Sequence, residues 1–180
     1  SNGRFYTLPC SKLPGGKGHG EPVRLMVDIK NDEVIVNMLP FDKEQKLLIA
    51  SNAGKGFIVP AADVSASTKN GKQVLNVSGE AKGLVCVPAM GDHVAVIGTN
   101  RKFLIFPITQ LPEMKKGAGV MLQKYKGAKL SDVKVFKAID GLTFASGSRT
   151  RTEDDIRTWL GNRADIGRLP PTGFSKGNQF

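Results

Sequence analysis

The sequence predicts an all-β fold built from about three to four copies of one four-stranded unit. Short apolar, β-branched runs recur along the 180 residues, and Gly, Pro, Asn and Asp separate them. This pattern is typical of many short strands joined by tight turns. The runs also return at a regular interval, which indicates a repeat architecture.

Each unit begins with a basic residue that follows a strand ending in small residues. These basic residues are separated by 51, 46 and 48 positions (55 − 4, 101 − 55 and 149 − 101), and they are Arg4, Lys55, Arg101 and Arg149. We treat residues 1–180 as a single domain or fragment. Its repeats are approximately 3–51, 54–99 and 100–147, with a partial repeat at 148–180.

The elements within a unit follow a fixed order. First comes an aliphatic strand that ends in proline, at Pro9, Pro60 and Pro107. A loop rich in Gly and Lys follows, and then a valine strand that begins at Val23, Val74 and Val120. A turn with an acidic residue leads into the last strand, which in the first unit is Val34–Val36. Because a four-stranded sheet cannot bury its own face, the units are expected to stack around an axis.

The last segment departs from this pattern. Thr152 is placed as a helix N-cap, acidic residues follow it, and apolar residues occupy positions 156, 159 and 160 before Gly161. These features predict a short C-terminal amphipathic helix. Trp159, the only tryptophan, is expected to pack on the last sheet.

The glycine-rich stretch LPGGKGHGEP at residues 13–22 does not fit a nucleotide-binding loop. It lacks the Ser or Thr that follows the lysine of a phosphate loop, and it lacks the third glycine of the dinucleotide fingerprint. We interpret it as the first copy of a recurring Gly-Lys loop, and we expect no cofactor and no metal in this domain.

The charge of the chain favours an anionic partner. The formal net charge is +10, from 26 Lys and Arg against 16 Asp and Glu, and an excess of this size is typical of proteins that bind nucleic acid. Lysine and arginine gain most when they follow the phosphates of a duplex. The predicted contacts recur near one phase of the repeat: Arg4, Lys12, Lys17, Lys55, Lys69, Lys72, Arg101, Lys102, Lys115 and Lys116.

Catalysis and membrane insertion are not expected of this chain. Neither His19 nor His93 has a neighbouring nucleophile with a third orienting group. Asp154 and Asp155 are adjacent and diverge on the predicted helix, so they do not form an acid–base pair. No apolar run is long enough to span a bilayer. The catalytic, cofactor and metal sites are therefore all predicted to be absent.

The pattern as a whole resembles the C-terminal domain of the A subunits of bacterial type IIA topoisomerases, gyrase (GyrA) and topoisomerase IV (ParC). The motifs that carry the resemblance are GKGFIVP at 54–60, KNGK at 69–72, GDHVAVI at 91–97, RKFLIF at 101–106, MKKGAGV at 114–120 and GNRA at 161–164. The resemblance implies a β-pinwheel, a propeller-like ring in which each repeat forms a blade and lends an outer strand to a neighbour.

The glycine loop indicates which branch of the family the chain is closer to. Gyrase carries a signature loop, Gln-(Lys/Arg)-Arg-Gly-Gly-Lys-Gly, for tight chiral wrapping. This chain matches only its second half, at Gly15–Gly18, and has Lys12-Leu-Pro where the Gln and two basic residues belong. A degenerate loop of this kind favours topoisomerase IV over gyrase.

The resemblance implies an accessory module rather than an enzyme in its own right. It would bind and bend duplex DNA on a basic outer rim without sequence specificity, for a cleavage–reunion core encoded elsewhere in the A subunit. Its partners would be duplex DNA, the rest of the A subunit, and the topoisomerase IV B subunit. ATP and Mg²⁺ would act on other domains, in the bacterial cytoplasm at the nucleoid. The alternatives are a gyrase wrapping domain and a β-propeller scaffold that binds proteins.

Overall fold

The structure, a computed structural model, describes residues 1–180, and its regular secondary structure consists almost entirely of short strands joined by turns and loops. The eleven strands are β1 (Arg4–Phe5), β2 (Lys46–Ser51), β3 (Lys55–Pro60), β4 (Lys72–Gln73), β5 (Gly83–Pro88), β6 (His93–Gly98), β7 (Phe103–Pro107), β8 (Val120–Met121), β9 (Leu130–Phe136), β10 (Leu142–Ser146) and β11 (Arg149–Glu153). One short α-helix, α1 (Ala61–Val64), and five 3₁₀ turns complete the chain. None of these helical segments has the length and apolar character that a membrane span requires.

The most complete sheet has four strands in the order β5-β2-β3-β8. Strands β2 and β3 form a hairpin, with Lys46 opposite Pro60 and Ala50 opposite Gly56. Strand β5 pairs antiparallel with the free side of β2, and β8 pairs with the free side of β3. Strand β2 is thus an inner strand of the sheet, and it is buried over Leu47–Ser51 because both of its edges and both of its faces are covered.

The next stretch of chain repeats this arrangement. Strands β7-β6-β9 form a three-stranded sheet, and an isolated bridge joins Phe103 of β7 to Arg168 where the first sheet has β8. The pair β1–β4 and the hairpin β10–β11 are two further parts of the same pattern. We call each such sheet a blade. Strands β1, β3 and β7 all pair with a segment from later in the chain, so neighbouring repeats share their sheets.

Three apolar clusters form the core. The first centres on Leu48, Val96 and Phe106, the second on Phe103 and Phe144, and the third on Phe57 and Val74. Trp159 packs edge-on against Phe103 with ring centroids 6.0 Å apart. The contact places this tryptophan on the β7-β6-β9 sheet, within the apolar cluster that this sheet shares with β10, and not on the last sheet alone as predicted.

Glycine is required where a later segment of the chain passes close beside β1, β3 or β7, and we call these positions the crossing glycines. Gly71, Gly119 and Gly167 follow one another at 48-residue intervals (119 − 71 and 167 − 119), with φ of +68°, +79° and +79°. At Gly119 a Cβ would lie 2.4 Å from the carbonyl oxygen of Gly56, and at Gly167 it would lie 2.4 Å from that of Phe103. Only glycine combines this backbone conformation with such a close approach.

Three predicted elements differ in the structure. The predicted helix at 152–160 is wrong: Thr152 belongs to β11, which pairs with β10 across a turn at Gly147. Helical structure is limited to a 3₁₀ turn at Arg157–Trp159, because β-branched Thr150 and Thr152 favour the hairpin. Val34–Val36 is not a strand, and Val23 begins a 3₁₀ turn instead of a valine strand.

Candidate nucleic-acid interface

The structure brings eight of the ten predicted cations to equivalent places, the junctions where a shared strand meets a hairpin. At the first junction Arg4 and Phe5 pair with Gln73 and Lys72, close to Lys69. At the second, Lys55 pairs with Met121 of β8, just after the loop that carries Lys115 and Lys116. At the third, Arg101 and Lys102 precede the bridge between Phe103 and Arg168. The repeat in the sequence thus corresponds to a series of basic junctions in successive blades.

Arg4 lies at the first junction and Arg101 at the third, and both guanidinium groups donate hydrogen bonds to other residues of the protein. The Arg4 Nη1 donates to the carbonyl oxygens of Asn70 and Gly71, at 3.0 and 3.4 Å. The Arg101 Nη1 donates to the Ser175 carbonyl and to Asn178 Oδ1, both at 3.0 Å. These bonds connect β1, and the turn between β6 and β7, to segments from later in the chain. All of these acceptors are neutral, so no carboxylate offsets either guanidinium charge at its junction.

The candidate cations are almost free of neutralising carboxylates. Eight of the ten are exposed, and only Arg101 and Lys102 are partly buried. Among them only Lys115 lies within 4.0 Å of a carboxylate: its Nζ is 3.6 Å from Asp63 Oδ1, and its side chain is 84% exposed. A contact of this kind in water is worth little, so the positive charge of the junctions faces solvent.

Lys12 and Lys17 lie apart from the junctions. Lys12 ends a 3₁₀ turn at Cys10–Lys12, and Lys17 sits in the exposed glycine loop. A Cβ placed on Gly15 or Gly16 would meet no atom within 4 Å, and neither residue has a positive φ. Packing within the protein therefore does not require these glycines, in contrast with Gly119 and Gly167.

Reasoning from the sequence missed one cation of the same class. Arg168 is exposed and bridges to Phe103, at the place that Lys72 holds beside Phe5. Each residue directly follows a crossing glycine, Gly167 or Gly71. The 48-residue glycine interval was the signal that would have identified it.

The polar pair nearest to a catalytic arrangement has a structural role. His93 Nδ1 lies 2.7 Å from Asp92 Oδ1, and the same oxygen accepts a 2.8 Å bond from the Ala138 N–H. The hydrogen bond from His93, followed by that from Ala138, lowers the pKa of Asp92. The pair thus fixes the loop after β9 to the start of β6.

Comparison with known proteins gives the interface its context. A family described as "DNA gyrase C-terminal domain, beta-propeller" matches residues 1–42, 45–82 and 92–137, more than half of the chain. The A subunit of DNA topoisomerase 4 from Rickettsia bellii is 48% identical over all 180 residues, and that from Caulobacter vibrioides is 44% identical over an alignment of 181. The chain spans only 24% of the length of each of these relatives.

A solved structure agrees with the sequence relatives. The C-terminal domain of Escherichia coli ParC superposes with a TM-score of 0.82 at 26% identity, over 96% of this chain and 74% of that one. The match confirms the predicted pinwheel of repeated blades, and the sequence relatives confirm the resemblance to the A subunit of topoisomerase IV. With both fold and sequence in agreement, the chain belongs to the family of DNA gyrase C-terminal domains, whose fold is a β-propeller.

Proposed function

We propose that this chain is the DNA-binding accessory domain of a topoisomerase IV A subunit. It binds duplex DNA without sequence specificity along the basic blade junctions and bends it. The bound segment is then presented to the cleavage–reunion core for ATP-dependent strand passage, as decatenation and supercoil relaxation require. The single observation that supports this most is the recurrence of cations, mostly exposed and almost free of carboxylates, at equivalent places in successive blades.

The chemistry of the junctions suits the sugar–phosphate backbone. A duplex carries one negative charge for roughly every 1.7 Å of its axis, so evenly repeated cations gain more than a single cluster. Contacts to phosphate fix position without reading sequence. Bending a short site by 40–90° costs on the order of 1–6 kcal/mol, and contacts at several junctions together offset that cost.

The glycine loop supports the same role. Gly15 and Gly16 present backbone without side chains beside Lys17, in a region that the protein itself leaves open. A bare backbone can approach a phosphate closely and donate its N–H groups. Gly15, Gly16 and Lys17 thus add a separate contact beyond the junctions.

We place catalysis outside this chain. No group of three His, Cys, Asp or Glu side chains is arranged to hold a metal ion, so these residues do not fit the Mg²⁺ that the whole enzyme requires. DNA cleavage and ATP hydrolysis belong to the remaining part of the A subunit, and to the B subunit. The enzyme would act at the nucleoid, in the cytoplasm.

The experiment is a binding titration with two duplexes of unrelated sequence but equal length, followed by fluorescence anisotropy at rising salt. We expect equal affinities for both duplexes. The logarithm of the binding constant should fall linearly with the logarithm of salt concentration, by about 0.9 for each phosphate contact. Strong preference for one duplex, or affinity that salt does not change, would contradict the proposal. Absence of binding at low salt would instead favour a protein-binding scaffold.

A further inference from the structure

The first blade contains an open apolar slot. It lies between residues 4–8 on one side and residues 34–39 on the other, and apolar side chains line most of its volume of about 600 Å³. Several large side chains around it are exposed, among them Val34 at 66%, Met38 at 66% and Phe41 at 59%. A surface of this kind on a water-facing protein marks a place where something else packs.

The backbone on both sides of the slot is unpaired. No backbone–backbone hydrogen bond involves residues 6–8 or residues 35–41. Residues 4–9 correspond to β3, which ends at Pro60 just as this segment ends at Pro9. In the complete blade, β3 pairs along its length with the inner strand β2. Two segments thus face each other across the slot without a strand between them, and of the backbone donors in residues 6–8 and 35–41 only the Met38 N–H is bonded, to Asn37 Oδ1 at 2.7 Å.

The residue that directly follows the inner strand forms the same pair of hydrogen bonds in three repeats. The Asn52 N–H donates to the Lys82 carbonyl at 2.9 Å, and its Oδ1 accepts from the Lys82 N–H at 3.0 Å. Thr99 does the same with Lys129, at 2.8 Å and, through Oγ1, at 3.1 Å. Ser1 repeats the pattern with Val34: its nitrogen donates at 2.6 Å and its Oγ accepts at 3.0 Å.

The bond to the next blade is repeated as well. The Leu130 N–H donates to the Asn52 carbonyl at 3.0 Å, and the Gly83 N–H donates to the Ser1 carbonyl at 2.7 Å. Ser1 is thus built into the position that Asn52 holds after β2 and that Thr99 holds after β6. Burial lowers the pKa of the Ser1 amino group, and a peptide N–H would make the same bond without a charge.

We propose that the slot is the binding site of a strand formed by the roughly six residues that directly precede Ser1 in the full-length polypeptide. That strand runs antiparallel between residues 4–9 and 34–39 and takes the place of β2. It is apolar on both faces, as β2 is from Leu47 to Ala50. The present sequence covers 24% of the length of the Rickettsia bellii relative.

The test extends the 180-residue chain at its N-terminus. One variant carries a copy of β2, Lys-Leu-Leu-Ile-Ala-Ser, directly before Ser1. A second variant carries a polar extension of equal length, Lys-Ser-Asn-Asp-Gly-Ser, and a third carries the β2 copy with one glycine inserted before Ser1. Hydrogen exchange is followed by mass spectrometry for residues 6–8 and 35–39, with the amides of β6 as an internal reference.

We expect the β2 copy to slow exchange in both segments at least tenfold and to raise the midpoint of thermal unfolding. The polar extension should leave both measurements at the level of the unextended chain. The glycine insertion should forfeit most of the gain, because a shift of one residue exchanges the two apolar faces of the copy, and side chains of the wrong size then meet each neighbour. Equal exchange in all variants would overturn the proposal.

A second copy of the chain is the competing occupant. Analytical ultracentrifugation of the unextended chain distinguishes it, since a second copy would give a dimer whose slot amides become protected as concentration rises. That result would also overturn the proposal. A monomer that binds a hydrophobic dye, and loses this binding only with the β2 copy, would support the inserted strand.

Discussion

The side chain of Asp132 is partly buried, and both of its carboxylate oxygens accept hydrogen bonds from backbone N–H groups. Its Oδ1 accepts from the Val133 N–H at 2.8 Å and its Oδ2 accepts from the Phe180 N–H at 3.0 Å. Burial raises the pKa of this carboxyl, although both hydrogen bonds and nearby Lys134 act in the opposite direction. The ionised form is therefore less favourable in the folded protein than in the unfolded chain.

The pH dependence of Asp132→Asn follows from that sign. An acid whose folded pKa is raised contributes stability that is fully present below its ordinary value of 3.8 and is lost as pH rises through the folded value. Asparagine does not titrate. We therefore expect the stability of the variant, relative to the parent, to improve as pH rises above 3.8 and this carboxyl ionises in the parent.

Urea unfolding of both proteins at several pH values measures this difference. Asp32→Asn, at an exposed position, controls for the loss of a charge. A difference between Asp132→Asn and the parent that stays constant over the range would show that burial does not govern Asp132.

Single residues were predictable from the sequence where spacing alone decides their place. Arg4 and Lys55 lie at equivalent junctions as their spacing predicts, but in the third repeat the equivalent position, three residues after Thr99, belongs to Lys102, and Arg101 precedes it by one. Their hydrogen bonds were not predictable, because Arg4 and Arg101 bind carbonyls that lie 66 to 77 residues away in the chain. Their contacts to DNA remain a prediction.

The crossing glycines decide whether a shared strand can dock. Gly119→Ala would place a Cβ 2.4 Å from the Gly56 carbonyl oxygen in a backbone with φ of +79°. Both the left-handed conformation and the clash are unfavourable, so we expect a loss of about 2 kcal/mol or more in the free energy of unfolding. Chemical denaturation measures it.

Gly16→Ala is the matched control. It places the same methyl group where no atom lies within 4 Å, so its effect on stability should stay within about 0.5 kcal/mol. If Gly119→Ala proved as mild as Gly16→Ala, the close approach of Gly119 to Gly56 beside the β3–β8 pair would be wrong.

Elements were predictable where the local pattern and the tertiary environment agree. The runs that became β2, β3, β5, β6 and β7 combine β-branched residues with glycine or proline turns, and all five are strands. At residues 152–160 the acidic and apolar spacing indicated a helix, but pairing with β10 determines the structure of the first two residues. Val34–Val36 has the composition of a strand, but only Val34 is hydrogen-bonded to a neighbour, Ser1.

The charge of the whole molecule governs the proposed binding of DNA. Lys115→Glu with Lys116→Glu reverses two exposed charges at the second junction. We expect affinity for duplex DNA at low salt to fall at least tenfold. The magnitude of the salt slope should decrease by up to about 2, the contribution of two phosphate contacts.

The matched variant is Lys43→Glu with Lys137→Glu, which changes net charge equally at two exposed positions outside the ten predicted contacts. It should lose much less affinity than the junction variant. Equal losses would mean that net charge alone attracts DNA, without a path along the blades.

At this largest scale the sequence predicted the repeat and the all-β architecture. It did not predict how the sheets are assembled, because pairings such as Gly56 with Val120 join residues 64 positions apart (120 − 56). Nothing in the local pattern of either segment specifies that partner. The same long-range pairing creates the basic junctions, which is why the candidate interface was visible only as a periodicity.

The hydrogen bonding between blades also determines how the protein responds to proteolytic cleavage. The loop that carries Lys115 and Lys116 is exposed, yet the segment around it is bonded on both sides: Met114 to Ile58, Gly117 to Val74 and Leu122 to Gly54. Trypsin cleavage after Lys116 would therefore leave two polypeptides held together, which separate only in denaturant. A single break in the covalent chain would not divide the molecule.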